Sequence, residues 1–103
     1  MSTYETIVGL IQQQKIKWTA HCLEKMGERD ISIRDVEYCL THGEQIEDYP
    51  DDYPFPSCLI YGAMTNGRVI HVVAGADGET AYIITAYYPD TVKFENDLKT
   101  RRH

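Results

Sequence analysis

SCLIYGAMTNGRVIHVVAG, running from Ser57 to Gly75, holds two apolar runs on either side of an Asn-Gly pair. Cys58, Ile60, Gly62 and Met64 alternate with Leu59, Tyr61 and Ala63. Past Asn66 and Gly67, Val69, His71 and Val73 alternate with Ile70, Val72 and Ala74. Both turn residues tolerate positive φ, so the pattern predicts a β-hairpin closed by a type I′ turn. A third alternating run, Ala81 to Tyr87, follows the break at Ala76 to Glu79. Three consecutive strands joined by short turns predict an antiparallel meander.

Working outward toward the N-terminus, the chain turns helical. Ser2 with Glu5 three residues on forms a capping box, and Ile7, Val8, Leu10 and Ile11 give the apolar stripe of a helix reaching about Gln14. Lys15 to Trp18 alternates and reads as a short extended link. Thr19 is the N-cap of a second helix in which Cys22, Leu23 and Met26 point one way. His21, Lys25 and Arg29 recur on another face, and Asp30 ends the helix in the left-handed region. Ser32 and Asp35 cap a third helix whose Ile33, Val36 and Leu40 face inward. Gly43 is expected to stop it with a left-handed C-cap.

Between helix and hairpin, Pro50, Pro54 and Pro56 exclude regular structure from an acidic arm, apart from a short edge strand at Gln45 to Tyr49. After the third strand, Tyr88-Pro89-Asp90 turns the chain, and Val92, Phe94 and Leu98 anchor a tail ending Lys99 to His103. The expected architecture is one α+β domain over residues 1–103. Two or three N-terminal helices pack on one face of a mainly antiparallel sheet of three to four strands.

The chain has 103 residues and a formal charge of −6, enough for one core and adverse to general nucleic-acid binding. Distribution matters more than the sum. Glu44, Glu47, Asp48, Asp51 and Asp52 form an acidic block, while Lys93, Lys99, Arg101, Arg102 and His103 gather at the C-terminus, so a local basic surface is compatible with the total. Cys22, Cys39 and Cys58 are odd in number and include no C-x-x-C pair, which indicates neither a disulfide framework nor a zinc site; no metal or cofactor is expected. No apolar run approaches the length of a membrane span, and MSTYETIVGL lacks the basic flank of a secretion signal, so the cytoplasm is the expected location.

Three features carry chemistry. His21, Lys25 and Arg29 sit one helical turn apart and can converge on an anion, or can simply be a solvated helix face. His71, inside an apolar strand, is either a satisfied core histidine or a titratable group on the open face of the sheet. Tyr61, Tyr82, Tyr87 and Tyr88, drawn from eight tyrosines in all, suit stacking on unpaired bases as well as plain packing.

Taken together, HCLEKMGERDIS, IEDYPDDYPFPSCLIYG, HVVAG, YIITAYYPD and KFENDLKTRR resemble, in the right order, a family of short bacterial and archaeal proteins known only as a domain of unknown function. That family looks like a branch of the RelE, ParE and BrnT toxin superfamily, with MqsR-like systems as a parallel. The resemblance implies N-terminal helices on a curved antiparallel sheet. It also implies an intracellular type II toxin of the ribonuclease kind, neutralised by an antitoxin protein that carries a zinc-binding C-x-x-C module. The matching positions are His21, Arg29, His71, Tyr82, Arg101 and Arg102; Lys25, Asp30 and Phe94 depart from the family's usual arginine, glycine and tryptophan.

On this reading the chain is a metal-independent endoribonuclease with RNA as substrate. His71 is its base or acid and Tyr82 the partner or orienting hydroxyl. Arg29 and His21 stabilise phosphate, while Lys25, Tyr88, Arg101 and Arg102 hold the substrate. The rival readings are a non-enzymatic protein-binding module using the same sheet and helix face, and a ParE-like toxin that acts on a protein.

Overall fold

The computed structural model describes residues 2–103. Its elements are α1 (Thr3–Gln12), β1 (Ile16–Trp18), α2 (Ala20–Glu28), α3 (Ile33–His42), β2 (Glu44–Tyr49), β3 (Ser57–Ala63), β4 (Val69–Ala76) and β5 (Ala81–Tyr87). The strands form one mixed sheet in the order β1-β5-β4-β3-β2. The class is α+β, but the sheet has five strands where three or four were expected. The extra one is the link at Lys15 to Trp18. Its Ile16, Lys17 and Trp18 pair in parallel with Ala81, Tyr82 and Ile83, and the Ala81 N–H donates to the Lys15 carbonyl at 2.9 Å. Alternation over so few residues fits an extended link as well as an edge strand, and the parallel partner decides between them.

All three helices lie on one face. Ile7, Leu10 and Ile11 of α1, Cys22 and Met26 of α2, and Val36, Cys39 and Leu40 of α3 form one buried cluster with Ile60, Ile70, Val72, Ala74, Ile83 and Ala86 of the strands. Burying a side chain such as Ile70 or Leu40 contributes about 2 kcal/mol. A helix cap is worth about 1 kcal/mol. The sheet–helix core therefore decides stability and the caps decide where helices begin. Ser2, Thr19 and Ser32 are the three N-caps, as their spacing predicts. Leu23 departs from expectation: it is 40% exposed and does not join Cys22 and Met26.

Two local expectations are corrected. In the hairpin, Gly67 N–H donates to the Met64 carbonyl at 2.9 Å and Met64 N–H to the Arg68 carbonyl at 2.8 Å, and Gly67 alone has positive φ, at 91°. This is a three-residue loop with a left-handed glycine, not a type I′ turn. The cause lies in α3, where the Asp35 carboxylate accepts from the Thr65 N–H at 3.1 Å and its hydroxyl at 2.8 Å. Gly43 is not left-handed either: its φ is −92° and ψ −163°. A Cβ there would collide with the carbonyl oxygens of Tyr61 and Cys39, so glycine serves close approach.

Candidate functional site

Alternation along β4 sends Ile70, Val72 and Ala74 into the helical layer and His71 to the opposite face. That outer face is partly covered by residues after β5. Phe94 and Arg101 bridge, and Phe94 is buried. Under this cover His71 has no exposed surface, so it sits neither in the helical core nor on an open face. Tyr61, Tyr87 and Phe94 meet its ring edge-on at 6.1, 5.3 and 4.7 Å.

Both ring nitrogens are used. Nε2 lies 2.7 Å from the Leu98 carbonyl, and Nδ1 lies 3.1 Å from the Tyr87 hydroxyl. A carbonyl only accepts, so Nε2 carries the proton, and in the neutral ring Nδ1 accepts from the Tyr87 O–H. Burial pushes the imidazole pKa below its ordinary value; the Leu98 carbonyl and Glu47 pull the other way without overcoming it. A carbonyl orients the ring, the ring accepts from a phenol, and the phenol reaches a cleft. The order is that of an orienting group, a base and the group the base activates.

The cleft, about 350 Å³, is lined by Arg29, Thr85, Tyr87, Lys93, Phe94 and Arg101. Arg29 follows the last turn of α2, where Asp30, at φ 57°, reverses the chain. One guanidinium N–H of Arg29 donates to the Ala86 carbonyl at 2.8 Å, and its own carbonyl accepts from the Tyr88 O–H at 2.5 Å. Among the described residues, neither Arg29 nor Lys93 has a carboxylate partner. Arg101 has one: it forks onto Glu47 at 2.9 and 3.0 Å and stacks over Phe94. That bond holds the Glu47 carboxyl below its usual range and raises the guanidinium further. Burial pushes the Tyr87 phenol up, and Arg101 opposes the rise.

The acidic and basic blocks of the sequence thus meet at two pairs, while Arg102 finds its partner within the tail. Lys99 pairs with Glu44 and lies over the Tyr61 ring at 4.7 Å, Arg101 pairs with Glu47, and Arg102 pairs with Glu95 at 3.0 Å. Val92, expected as an anchor, is 81% exposed; the tail hangs on Phe94 and the Leu98 carbonyl instead.

Arg29 and Arg101 meet Tyr87 at the cleft, with His71 behind it. Tyr82 is elsewhere. It pairs with Gly75 while Tyr87 pairs with His71, about 15 Å away at some 3.3 Å per residue, and its hydroxyl donates to Asp77 at 2.9 Å. Lys25 pairs with Glu28 at 3.2 Å on the surface, and His21 is exposed near the start of α2. Tyr88 ties β5 to the end of α2 and carries Arg68 over its ring at 3.6 Å. Arg102 also donates to the Thr91 carbonyl at 2.6 Å, outside the cleft lining.

Tyr87 as the phenol beside the histidine, Lys93, Glu47 and the Leu98 carbonyl were not singled out for these places by sequence. Strand pairing was the usable signal for Tyr87, but a bulge at Ile84 shifts the register and hides it. Among the described residues no three His, Cys, Asp or Glu side chains gather as a metal site requires. No helix among them is long and apolar enough to cross a membrane.

Neither the curated proteins nor the solved structures contain a match to this chain. Residues 18–88 match the family described as Domain of unknown function (DUF4258), a span that runs from β1 to the residue after β5 and takes in α2, the hairpin, His71 and Tyr87. The chain belongs to that family.

Proposed function

We propose that the chain is an endoribonuclease of the type II toxin kind, related in fold to the RelE and BrnT toxins, working in the cytoplasm and restrained by an antitoxin. The observation that carries the reading is the Tyr87–His71 hydrogen bond at the wall of a cleft bearing Arg29, Lys93 and Arg101. Cleavage of RNA through its own 2′-hydroxyl needs a base for that hydroxyl and cations for the phosphorane. In the proposed reaction the 2′-oxygen attacks phosphorus while its proton passes to the Tyr87 oxygen and the phenol proton to His71 Nδ1. The P–O5′ bond breaks, leaving a 2′,3′-cyclic phosphate, and the 5′-oxygen takes a proton from the Lys93 ammonium or from water. Arg29 and Arg101 carry the growing phosphate charge, for which Arg101 exchanges Glu47 for the substrate. His71 is then the base and Tyr87, in place of Tyr82, its partner.

A second reading, a non-enzymatic binding module, is favoured by the full burial of His71 and by the internal pairing of Lys99 and Arg101. Salt titration of RNA binding separates the two. On the nuclease reading, affinity for single-stranded RNA falls steeply with salt, and Arg29→Ala and Lys93→Ala each reduce that slope by about one contact. An affinity that ignores salt, or that neither variant touches, supports the binding module.

A further inference from the structure

Far from Tyr87 on the outer face, the proline-rich arm builds a second cleft. It holds about 200 Å³ between Asp52, Tyr53, Pro54, Phe55, Tyr82 and Ile84, with Gly75 beneath. The Phe55 ring stacks nearly parallel on Tyr82, with centroids 5.1 Å apart and 13° between planes. Tyr53 is 91% exposed and Ile84 44%, a large apolar area to leave in water.

Two irregularities make room for it. At Gly75 a Cβ would come 3.0 Å from the Pro56 carbonyl and 3.7 Å from Ile84 Cδ1, so a side chain there would fill the floor. In β5, Val73 pairs with Thr85 and Ala74 with Ile83, which leaves Ile84 as the extra residue of a bulge. Bulges re-aim side chains, and this one puts an isoleucine at the mouth of the cleft.

The rim carries two carboxylates. Asp52 accepts from the Ser57 hydroxyl at 2.6 Å and Asp77 accepts from the Tyr82 hydroxyl at 2.9 Å, with Asp51 and Glu79 close to them in sequence. None of these four carboxylates has a cationic partner among the described residues. Lys17, in register with Tyr82, falls in the adjoining groove beside Glu79. Carboxylates outside any ion pair repel a phosphate backbone, and docking a second copy through the same face would set like charge against like charge. Arginine suits both features, because its guanidinium stacks on aromatic rings and forks onto carboxylates.

The geometry points to a docking site for an extended, arginine-bearing peptide of another protein, its guanidinium over the Phe55–Tyr82 stack beside Asp52 and its aliphatic neighbours against Tyr53 and Ile84. The site is separate from the cleft at Tyr87 and does not depend on any reaction there.

The test is calorimetric titration of the full chain with acetyl-Leu-Arg-Pro-Leu-Arg-Pro-Leu-Arg-amide, with the arginines replaced by glutamates as control. The arginine peptide is expected to bind with a Kd on the order of 10–100 μM, as an apolar contact of this size with one or two charge pairs allows. Phe55→Ala is expected to weaken it about tenfold, the loss of one ring contact of roughly 1.4 kcal/mol. Tyr53→Ser and Ile84→Ser, which alter only exposed side chains, keep the question answerable if that variant does not fold. Failure of the arginine peptide to bind, equal binding by the glutamate peptide, or indifference to all three variants would overturn the assignment. Oligouridylate binding lost in Tyr53→Ser, or dimerisation by sedimentation lost in Ile84→Ser, would overturn it in favour of RNA or of a second copy.

Discussion

His71 and Tyr87 face each other across β4 and β5, and the phenol donates to Nδ1 at 3.1 Å because the Leu98 carbonyl has already claimed the Nε2 proton at 2.7 Å. The tautomer is therefore fixed by the tail. Nitrogen-detected NMR of the imidazoles is expected to show His71 as the neutral Nε2–H form with a slowly exchanging ring proton. His21 and His103 are exposed, and their ring protons are expected to exchange freely. An Nδ1–H tautomer at His71 would contradict the hydrogen-bond order.

Burial lowers the His71 pKa, and this links stability to pH. The unfolded chain binds a proton near the ordinary histidine value, about 6.5, while the folded chain resists it to lower pH. Stability on this account is fully present above about pH 6.5 and is lost as pH falls from there toward the folded value. The slope is at most about 1.4 kcal/mol per pH unit. Urea unfolding of His71→Gln is expected to lose that step, whatever its effect near pH 8.

Asp35 joins the start of α3 to the hairpin loop. Burial alone would raise its carboxyl, but hydrogen bonds from Ser32 and Thr65 win and hold it at about 2. Asp35→Ala removes the reciprocal cap and the loop's anchor together, and is expected to cost about 2 kcal/mol or more by chemical denaturation. Its carboxylate contribution is present above about pH 4, the unfolded value, and fades as pH falls toward 2. An unchanged unfolding midpoint would remove Asp35 as the link.

Glu47 holds the tail through Arg101. Since Arg101 is half exposed, the pair is worth only about 1 kcal/mol. Glu47→Gln is expected to speed hydrogen exchange at the His71 ring severalfold and, by freeing Arg101, to strengthen RNA binding by a similar factor. Unaltered exchange would mean that the cover is held without the Glu47–Arg101 pair.

The helix starts and the three main strands were legible because they rest on local signals: Ser2, Thr19 and Ser32 as caps, alternation through Ser57 to Tyr87, and the left-handed Asp30. What escaped depends on partners distant in sequence. β1 exists because Ala81 to Ile83 offers it a parallel edge, and the hairpin loop takes its form from Asp35. Strict alternation puts Tyr82 and Tyr87, five residues apart, on opposite faces, and it is the bulge at Ile84 that brings Tyr87 round to the face of His71. The two charge blocks read as independent patches, whereas the fold brings Glu44 to Lys99 and Glu47 to Arg101.

The most direct measurement is cleavage of a single-stranded RNA by the full chain and by Tyr87→Phe, with the new ends analysed. The substitution keeps the ring packed against His71 and removes the hydroxyl that bonds Nδ1, so stability is expected to change by about 1 kcal/mol. The natural protein is expected to leave 2′,3′-cyclic phosphate ends, and Tyr87→Phe to be slower by about 10²–10⁴-fold. A natural protein that leaves RNA intact, or a Tyr87→Phe variant that cuts at the same rate, would contradict a proton relay through Tyr87 and His71.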